Sequence, residues 1–376
     1  MEKMMKKILA IGIAALILSM IVMSATAVND SSTLQDMDTY MISVDKVEMY
    51  TAWTLQYFVA TNMTEFDKWE GATVGEPMLI YDTTGDSVLY DVPIVKDGDV
   101  VGVIGVWAKK NMGVPIYSLS SSPPELTTTK AEEIALKRAE EEGAEVGSVK
   151  VVYYDFPKRA VKVTLEKDGK VIDMVLVDQA TNEVISEDEI KPFSSKVDKK
   201  KAQHALELWK EVDEQITAEW KGEVSPLGIE QELLDVTLYG QETTYYCAPA
   251  SAQMILSYHG YQYTQSQIAE AMGTTTSGTP IGNIPTGIEE VTNNQVDAWN
   301  DWSWGWGTVT NEINNNHPYV SNIAGHARAA RGYYYDTGRP WIKYQRINDP
   351  LPVGQGEERW ENYYTVVELC LTIVHP

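Results

Sequence analysis

The chain has 376 residues, enough for two or three domains, and its 44% hydrophobic and 22% charged content excludes a largely disordered protein. A formal net charge of −24 disfavours nucleic acid and anionic membrane surfaces as partners. With only two cysteines, Cys247 and Cys370, it is not a disulfide-stapled scaffold.

Lys3, Lys6 and Lys7 precede an apolar run over residues 8–23 and a small-x-small Ala25-Thr26-Ala27. This pattern predicts a secretory signal peptide over 1–27 and a secreted or cell-surface protein. Its rival is an uncleaved anchor, the one route by which this chain would meet a membrane. Residues 28–123 follow as an α+β unit. A helix is expected over 45–62, with Val47, Tyr50, Leu55 and Phe58 on one face, then strands at 78–81, 88–92 and 100–107. Asp97-Gly98 marks a hairpin turn between the last two. Residues 124–190 repeat that order. Thr129 and Glu132 form a capping box for a helix running to Gly143, and strands at 149–154, 160–166 and 171–177 carry an Asp168-Gly169 turn. With its closing Val175-Leu176-Val177-Asp178 through Glu183-Val184-Ile185, this second unit resembles the PepSY-type modules of secreted-protease propeptides. The first unit is loosely similar to the cystatin-like prodomain of streptopain-type proteases.

Residues 191–232 hold a charged helix over 195–220, whose Trp209, Val212, Ile216 and Trp220 make one apolar stripe. A linker with Gly222, Pro226 and Gly228 comes next and is the expected processing segment. From residue 233 charged residues thin out while Tyr, Trp, Gly and Asn rise. A catalytic domain is therefore placed at 233–376, opening with a strand that leads into Gln241.

Cys247 lies where an irregular segment becomes a small-residue helix, Ala248-Pro249-Ala250-Ser251-Ala252. The positive end of a helix dipole favours a thiolate there, and the Gln241 amide with the Cys247 N–H could hold an oxyanion. Cys370 sits in an apolar strand pattern and reads as core. Of five histidines, His204 lies in the charged helix and His375 is expected to be mobile. His259 is twelve residues along the Cys247 helix, about 18 Å away, and reads as a cap beside Gly260. His326, after Gly325, is the first candidate for the base, and His317 the second. A strand over 341–347 then leads to Asn348-Asp349, of which only one can face the base, because successive strand side chains point to opposite faces. Trp302, Trp304 and Trp306 crowd one short loop and are candidates for substrate binding.

Gln241, Tyr246-Cys247-Ala248-Pro249-Ala250-Ser251, Gly325-His326 and Asn348-Asp349-Pro350 resemble the papain-like cysteine peptidases related to bacteriocin-leader (double-glycine) peptidases. Ser266-Gln267-Ile268-Ala269-Glu270 and Gly278-Thr279-Pro280 extend the likeness. The resemblance implies an α+β papain-like domain behind α+β prodomain modules. It implies Cys247 as nucleophile, His326 as base, Asp349 as its orienter and Gln241 as oxyanion donor, with a protein or peptide substrate and neither cofactor nor metal. The chain's own propeptide would be the inhibitor of a zymogen. Two departures stand out: Ala248 where the family has glycine, and Arg328 and Arg331 in an otherwise apolar run. Two other readings remain at this stage. One is a cell-wall peptide amidase or acyltransferase on the same fold. The other is a non-catalytic binding or inhibitor protein with a Cys247–Cys370 disulfide.

Overall fold

Two Asp-Gly turns fix the strand registers of the N-terminal half. Asp97 and Gly98 have φ of 54° and 94°, and Asp168 and Gly169 have φ of 52° and 71°. Positive φ at both central residues gives a turn whose twist matches that of paired strands. The computed structural model describes residues 40–123, 127–196, 199–365 and 367–376, and the expected signal segment lies outside them. The first helix-and-sheet unit is α1 (Val44–Ala60) followed by β1 (Thr73–Val74), β2 (Met78–Asp82), β3 (Ser87–Lys96), β4 (Asp99–Trp107) and β5 (Ile116–Ser120). The second is α2 (Thr129–Glu142) with β6 (Glu145–Asp155), β7 (Lys158–Lys167) and β8 (Lys170–Asp178). The helix cap differs from expectation by one residue. Thr128 is the N-cap and its hydroxyl bonds the Glu132 carboxylate, while Gly143 at φ 62° closes the other end.

The charged helix α3 (Lys199–Glu219) buries Trp209, Val212 and Ile216 along the expected stripe. The expected linker is partly a strand. β9 (Ile229–Leu233) pairs antiparallel with β12 (His326–Asp336), from Leu233 opposite Gly332 to Ile229 opposite Asp336. The strand expected after residue 233 does not form. Leu234 donates its N–H to the Arg331 carbonyl, and the carbonyls of Leu234 and Val236 accept from the Arg331 and Asn348 side chains. Side chains thus satisfy this backbone in place of a neighbouring strand. Helices α4 (Cys247–Tyr258), α5 (Gln265–Ala271), α6 (Asn283–Val291) and α7 (Trp306–Asn314) complete the C-terminal half. With them come β10 (Asp297–Asp301), β11 (Tyr319–Ile323), β13 (Lys343–Asp349), β14 (Glu357–Asn362) and β15 (Glu368–His375).

Among the described residues the strands join one sheet, in the order β10-β15-β11-β12-β13-β14-β5-β4-β3-β2-β6-β7-β8, with β1 on β3 and β9 on β12. The halves meet where β14 pairs β5, Trp360 opposite Leu119 and Glu361 opposite Ser118. Their hydrophobic cores are also common. Tyr50, Trp53, Tyr57 and Phe58 of α1 pack with Tyr334, Trp341, Tyr344 and Trp360 and with Trp209, Val212 and Ile216 of α3. Polar contacts lock the same seam: Tyr57 Oη donates to Asp336 at 2.8 Å, and Glu65 accepts from Trp360 Nε1 at 2.9 Å. Residues 41–376 accordingly form one compact unit.

Truncating the aromatic at the seam should therefore weaken both halves. Trp360→Ala is expected to lower the unfolding free energy by about 3–5 kcal/mol. Urea unfolding followed by far-ultraviolet circular dichroism and by tryptophan fluorescence should still give one coincident transition. Two separated transitions would show that the halves are independent.

Candidate active site

Tyr246 is the N-cap and Cys247 the first residue of α4. The first-turn N–H groups of a helix have no intrahelical acceptor, so the thiol sits among free donors at the positive end of the dipole. Ala248 lies in helical backbone, where a methyl group carries no strain, and is buried in the core of the C-terminal half. Ser251 Oγ donates back to the Cys247 carbonyl at 2.8 Å.

His326 opens β12 after a two-residue connection, Ala324-Gly325, that follows Ile323, its partner in β11. Gly325 has φ 84°, which suits glycine and sets the sharp return that ends with the imidazole at the strand terminus. The ring is buried and its Nε2 lies 2.7 Å from Asp349 Oδ1. Nδ1 is buried and has no hydrogen-bond partner among the described residues. Burial pulls the imidazole down, but the Asp349 carboxylate and the Cys247 sulfur outweigh it and hold His326 at about 9. Burial likewise raises the Cys247 thiol, and His326 more than reverses that, leaving it below its ordinary value. Both shifts run in the direction that favours a thiolate beside an imidazolium.

Asp349 ends β13, and Asn348 beside it points the other way, to Arg331 Nε at 2.7 Å. The fully buried Asp349 carboxylate accepts from the Leu351 N–H at 2.9 Å and from Arg359 Nη2 at 2.6 Å. Burial alone would raise it, and the cations of His326 and Arg359 hold it well below the usual carboxylate range. Arg359 in turn binds Glu361 and Glu357. Glu361 binds Arg328, whose other partners are Glu368 and Ser321. The arginines that interrupt the apolar run are thus absorbed. Arg328 belongs to this network, and Arg331 joins Asn348, Leu234 and Glu358. Sequence reasoning missed Arg359 and Glu361. Their signal was the Glu357, Arg359, Glu361 alternation, which puts three charges on one face of a strand.

Gln241 is fully buried and bracketed by the β13–β14 loop, donating its N–H to the Pro350 carbonyl and accepting from the Gly354 N–H, both at 2.9 Å. A Cβ on Gly240 would come within 2.5 Å of the Gln355 nitrogen, so glycine permits this close approach. Gln265 holds the residues on either side of Gln241, donating to the Gly240 carbonyl and accepting from the Glu242 N–H. The Gln241 amide gives one hydrogen of Nε2 to the Thr243 carbonyl at 2.6 Å, which leaves the second for another acceptor.

The remaining expectations fall out differently. Both thiols are free, so the disulfide of the binding-protein reading is absent, and Cys370 is core as expected. His259 is the C-cap of α4, beside Gly260 at φ 88°. His317 and His375 sit together at Glu312, and His375 is not mobile but part of β15, hydrogen-bonded at 2.7 Å. Trp304 donates its indole N–H to the Leu369 carbonyl, and Trp306 packs on Tyr333, Tyr335 and Tyr363 under the Lys343 ammonium. Both are taken up by the chain's own packing, Trp302 is 61% exposed, and none of the three lines the cavity described next. That cavity, of about 950 Å³, is bounded by Asp349, Leu351, Val353 and Arg359 on one side and by Tyr153, Phe156, Lys158 and Arg159 on the other.

Residues 233–368 match the Peptidase_C39 like family, so this part of the chain is a cysteine-peptidase domain with a mixed α+β, papain-like fold. Two solved structures are similar to part of the chain. One is the peptidase domain of Streptococcus ComA, a bifunctional ABC transporter involved in a quorum-sensing pathway, at 16% identity over 38% of this chain and 98% of that one, with a TM-score of 0.31. The other is a double glycine motif protease from an AMS/PCAT transporter in complex with the leader peptide, at 18% identity over 39% and 94%, with a TM-score of 0.29. Compared with curated proteins, the chain has no match.

The paired shifts have a direct readout. Alkylation of Cys247 by iodoacetamide should stay fast below the ordinary thiol range near 8.5, and His326→Ala should move its midpoint up. Cys370, pushed up to about 11 by burial, serves as the slow internal control. An unchanged midpoint in His326→Ala would refute the pairing. Asp349→Asn should be severe, because an amide cannot accept from His326, Leu351 and Arg359 together. Its NH₂ must face a donor whichever way it turns. The expected losses are about 10²–10⁴ in kcat/KM and about 3 kcal/mol in stability, from steady-state kinetics and urea unfolding.

Proposed function

We propose that the chain is a secreted cysteine endopeptidase made as a zymogen. The observation that carries this is Cys247 at a helix N-terminus beside a buried His326 that Asp349 holds by its far nitrogen. In this reading the Cys247 thiolate attacks the scissile carbonyl. The Gln241 amide and the Cys247 N–H stabilise the oxyanion. His326 gives its Nδ1 proton to the leaving amine, and an acyl-enzyme forms. Water, deprotonated by the now neutral Nδ1, then hydrolyses the thioester. Asp349 keeps the Nε2 hydrogen in place throughout, so that Nδ1 exchanges the proton. A peptide or protein substrate is in keeping with the peptidase family that residues 233–368 match.

Two features support restraint by the N-terminal half. The Lys158 ammonium is among the charges that act on the Cys247 thiol, and residues Phe156 to Arg159 form one wall of the cavity. In the expected processing segment Gly222, Glu223, Ser225 and Leu227 are exposed to a protease. Because the halves share a core, a cut there would leave the N-terminal half bound to the C-terminal one. Secretion rests on the sequence of residues 1–27. No described helix is long and apolar enough to cross a membrane.

Purified wild-type chain should shorten on incubation, with a new N-terminus within 221–228, and then digest denatured protein. The two fragments should co-elute on size exclusion. Cys247→Ala should stay intact and inactive. Normal processing and hydrolysis by Cys247→Ala would sink the proposal. Turnover of cell-wall peptides with no hydrolysis of denatured protein would reassign the substrate to the amidase or acyltransferase class.

A further inference from the structure

Three of the five histidines gather at the end of α4 remote from Cys247. Glu312 comes from α7, His317 from the turn after it and His375 from β15. Asn316 at φ 63° and the His317 N–H bond to the Glu312 carbonyl turn the first imidazole back onto its own helix. One ligand-type atom from each of Glu312, His317 and His375 lies within 4.8 Å of the others. His375 Nε2 is 2.7 Å and His317 Nδ1 3.4 Å from Glu312 Oε2, and the two rings are 4.0 Å apart. His259 borders the group, its ring 6.3 Å from that of His317 and its Nε2 buried with no partner among the described residues.

We propose that Glu312, His317 and His375 bind a divalent transition-metal ion, best matched by Zn²⁺, at a site separate from the Cys247 centre. Two imidazoles and a carboxylate are a zinc donor set, and the fourth position of the tetrahedron would be water. With metal–ligand distances of about 2.0–2.2 Å, the edges of such a tetrahedron are about 3.4 Å. The His317 pair already has that spacing, and the His375 pair needs to open by well under an ångström. Glu312 is buried while His317 and His375 are partly exposed, so the carboxylate is held by the fold and the ion has a route in. The sequence alone suggested no metal, because 58 residues separate His317 from His375 and no ligand-spacing motif links them. A bound ion would pin β15 to α7. His259 at the border of the group is about 18 Å from Cys247 along α4, so the ion would act on the fold rather than on the thiol.

The test uses the full chain carrying Cys247→Ala, which removes the more accessible thiol and leaves only the buried Cys370. Isothermal titration with Zn²⁺ should give one equivalent with a Kd of about 1 µM or tighter, and Co²⁺ should develop visible absorption of tetrahedral character. His375→Ala and Glu312→Gln should each weaken Zn²⁺ at least tenfold, the second with little change in side-chain shape. No Zn²⁺ heat and no Co²⁺ band up to about 1 mM would overturn the proposal. So would affinity that either substitution lowers by less than tenfold.

Discussion

The buried carboxylate of Asp349 constrains everything around it. It lies out of water and remains an anion, so it must be surrounded by donors that accept no other arrangement. Three elements supply them: the end of β12 through His326, the loop after β13 through the Leu351 N–H, and β14 through Arg359. Arg359 is fixed in turn by Glu361 and Glu357, and Glu361 by Arg328. A buried ion pair is a weak source of net stability, but it is demanding about geometry. What this chain of charges contributes is orientation. It fixes the direction of the imidazole and leaves its other nitrogen unpaired among the described residues.

The same strands also carry the seam between the halves. Trp360 alternates with Arg359 and Glu361 on β14, so one face of that strand holds the charges behind Asp349 and the other packs into the aromatic core shared with α1. The position of the candidate active site and the cohesion of the N-terminal half are therefore two faces of one strand. A disturbance on either face reaches the other through six residues of backbone.

What the sequence discloses and what it hides follow from the range of the interactions involved. Cys247, Gln241, His326 and Asp349 each sit in a local pattern: a small-residue helix start, a fixed offset, a Gly-His turn, a strand end before proline. The Asp-Gly turns and the stripe on α3 are likewise local, and their elements lie where the pattern puts them to within a few residues. The partners that tune the site are not local. Arg359 reads as one charge in an acidic strand until β13 is laid beside it, and Arg328 reads as a flaw in an apolar run until Glu361 and Glu368 arrive from β14 and β15. β9 reads as linker because its residues are exposed and polar, and only the free edge of β12 makes it a strand. His375 reads as a loose end for the same reason: its carboxylate partner is 63 residues away.

The pairing of β5 with β14 has one more consequence. An unpaired strand edge is a docking rail, where an extended peptide can be taken up by main-chain hydrogen bonds with little regard for its side chains. Here the chain lays its own β5 along that rail at Leu119 and Ser118. At those two positions the β14 edge is closed by the chain itself, and the cavity beside it is walled by side chains, among them Arg159, Tyr153 and Arg359. The flank beside β14 is thereby built from both halves, with Arg159 and Tyr153 of the N-terminal one lining the same cavity as Arg359.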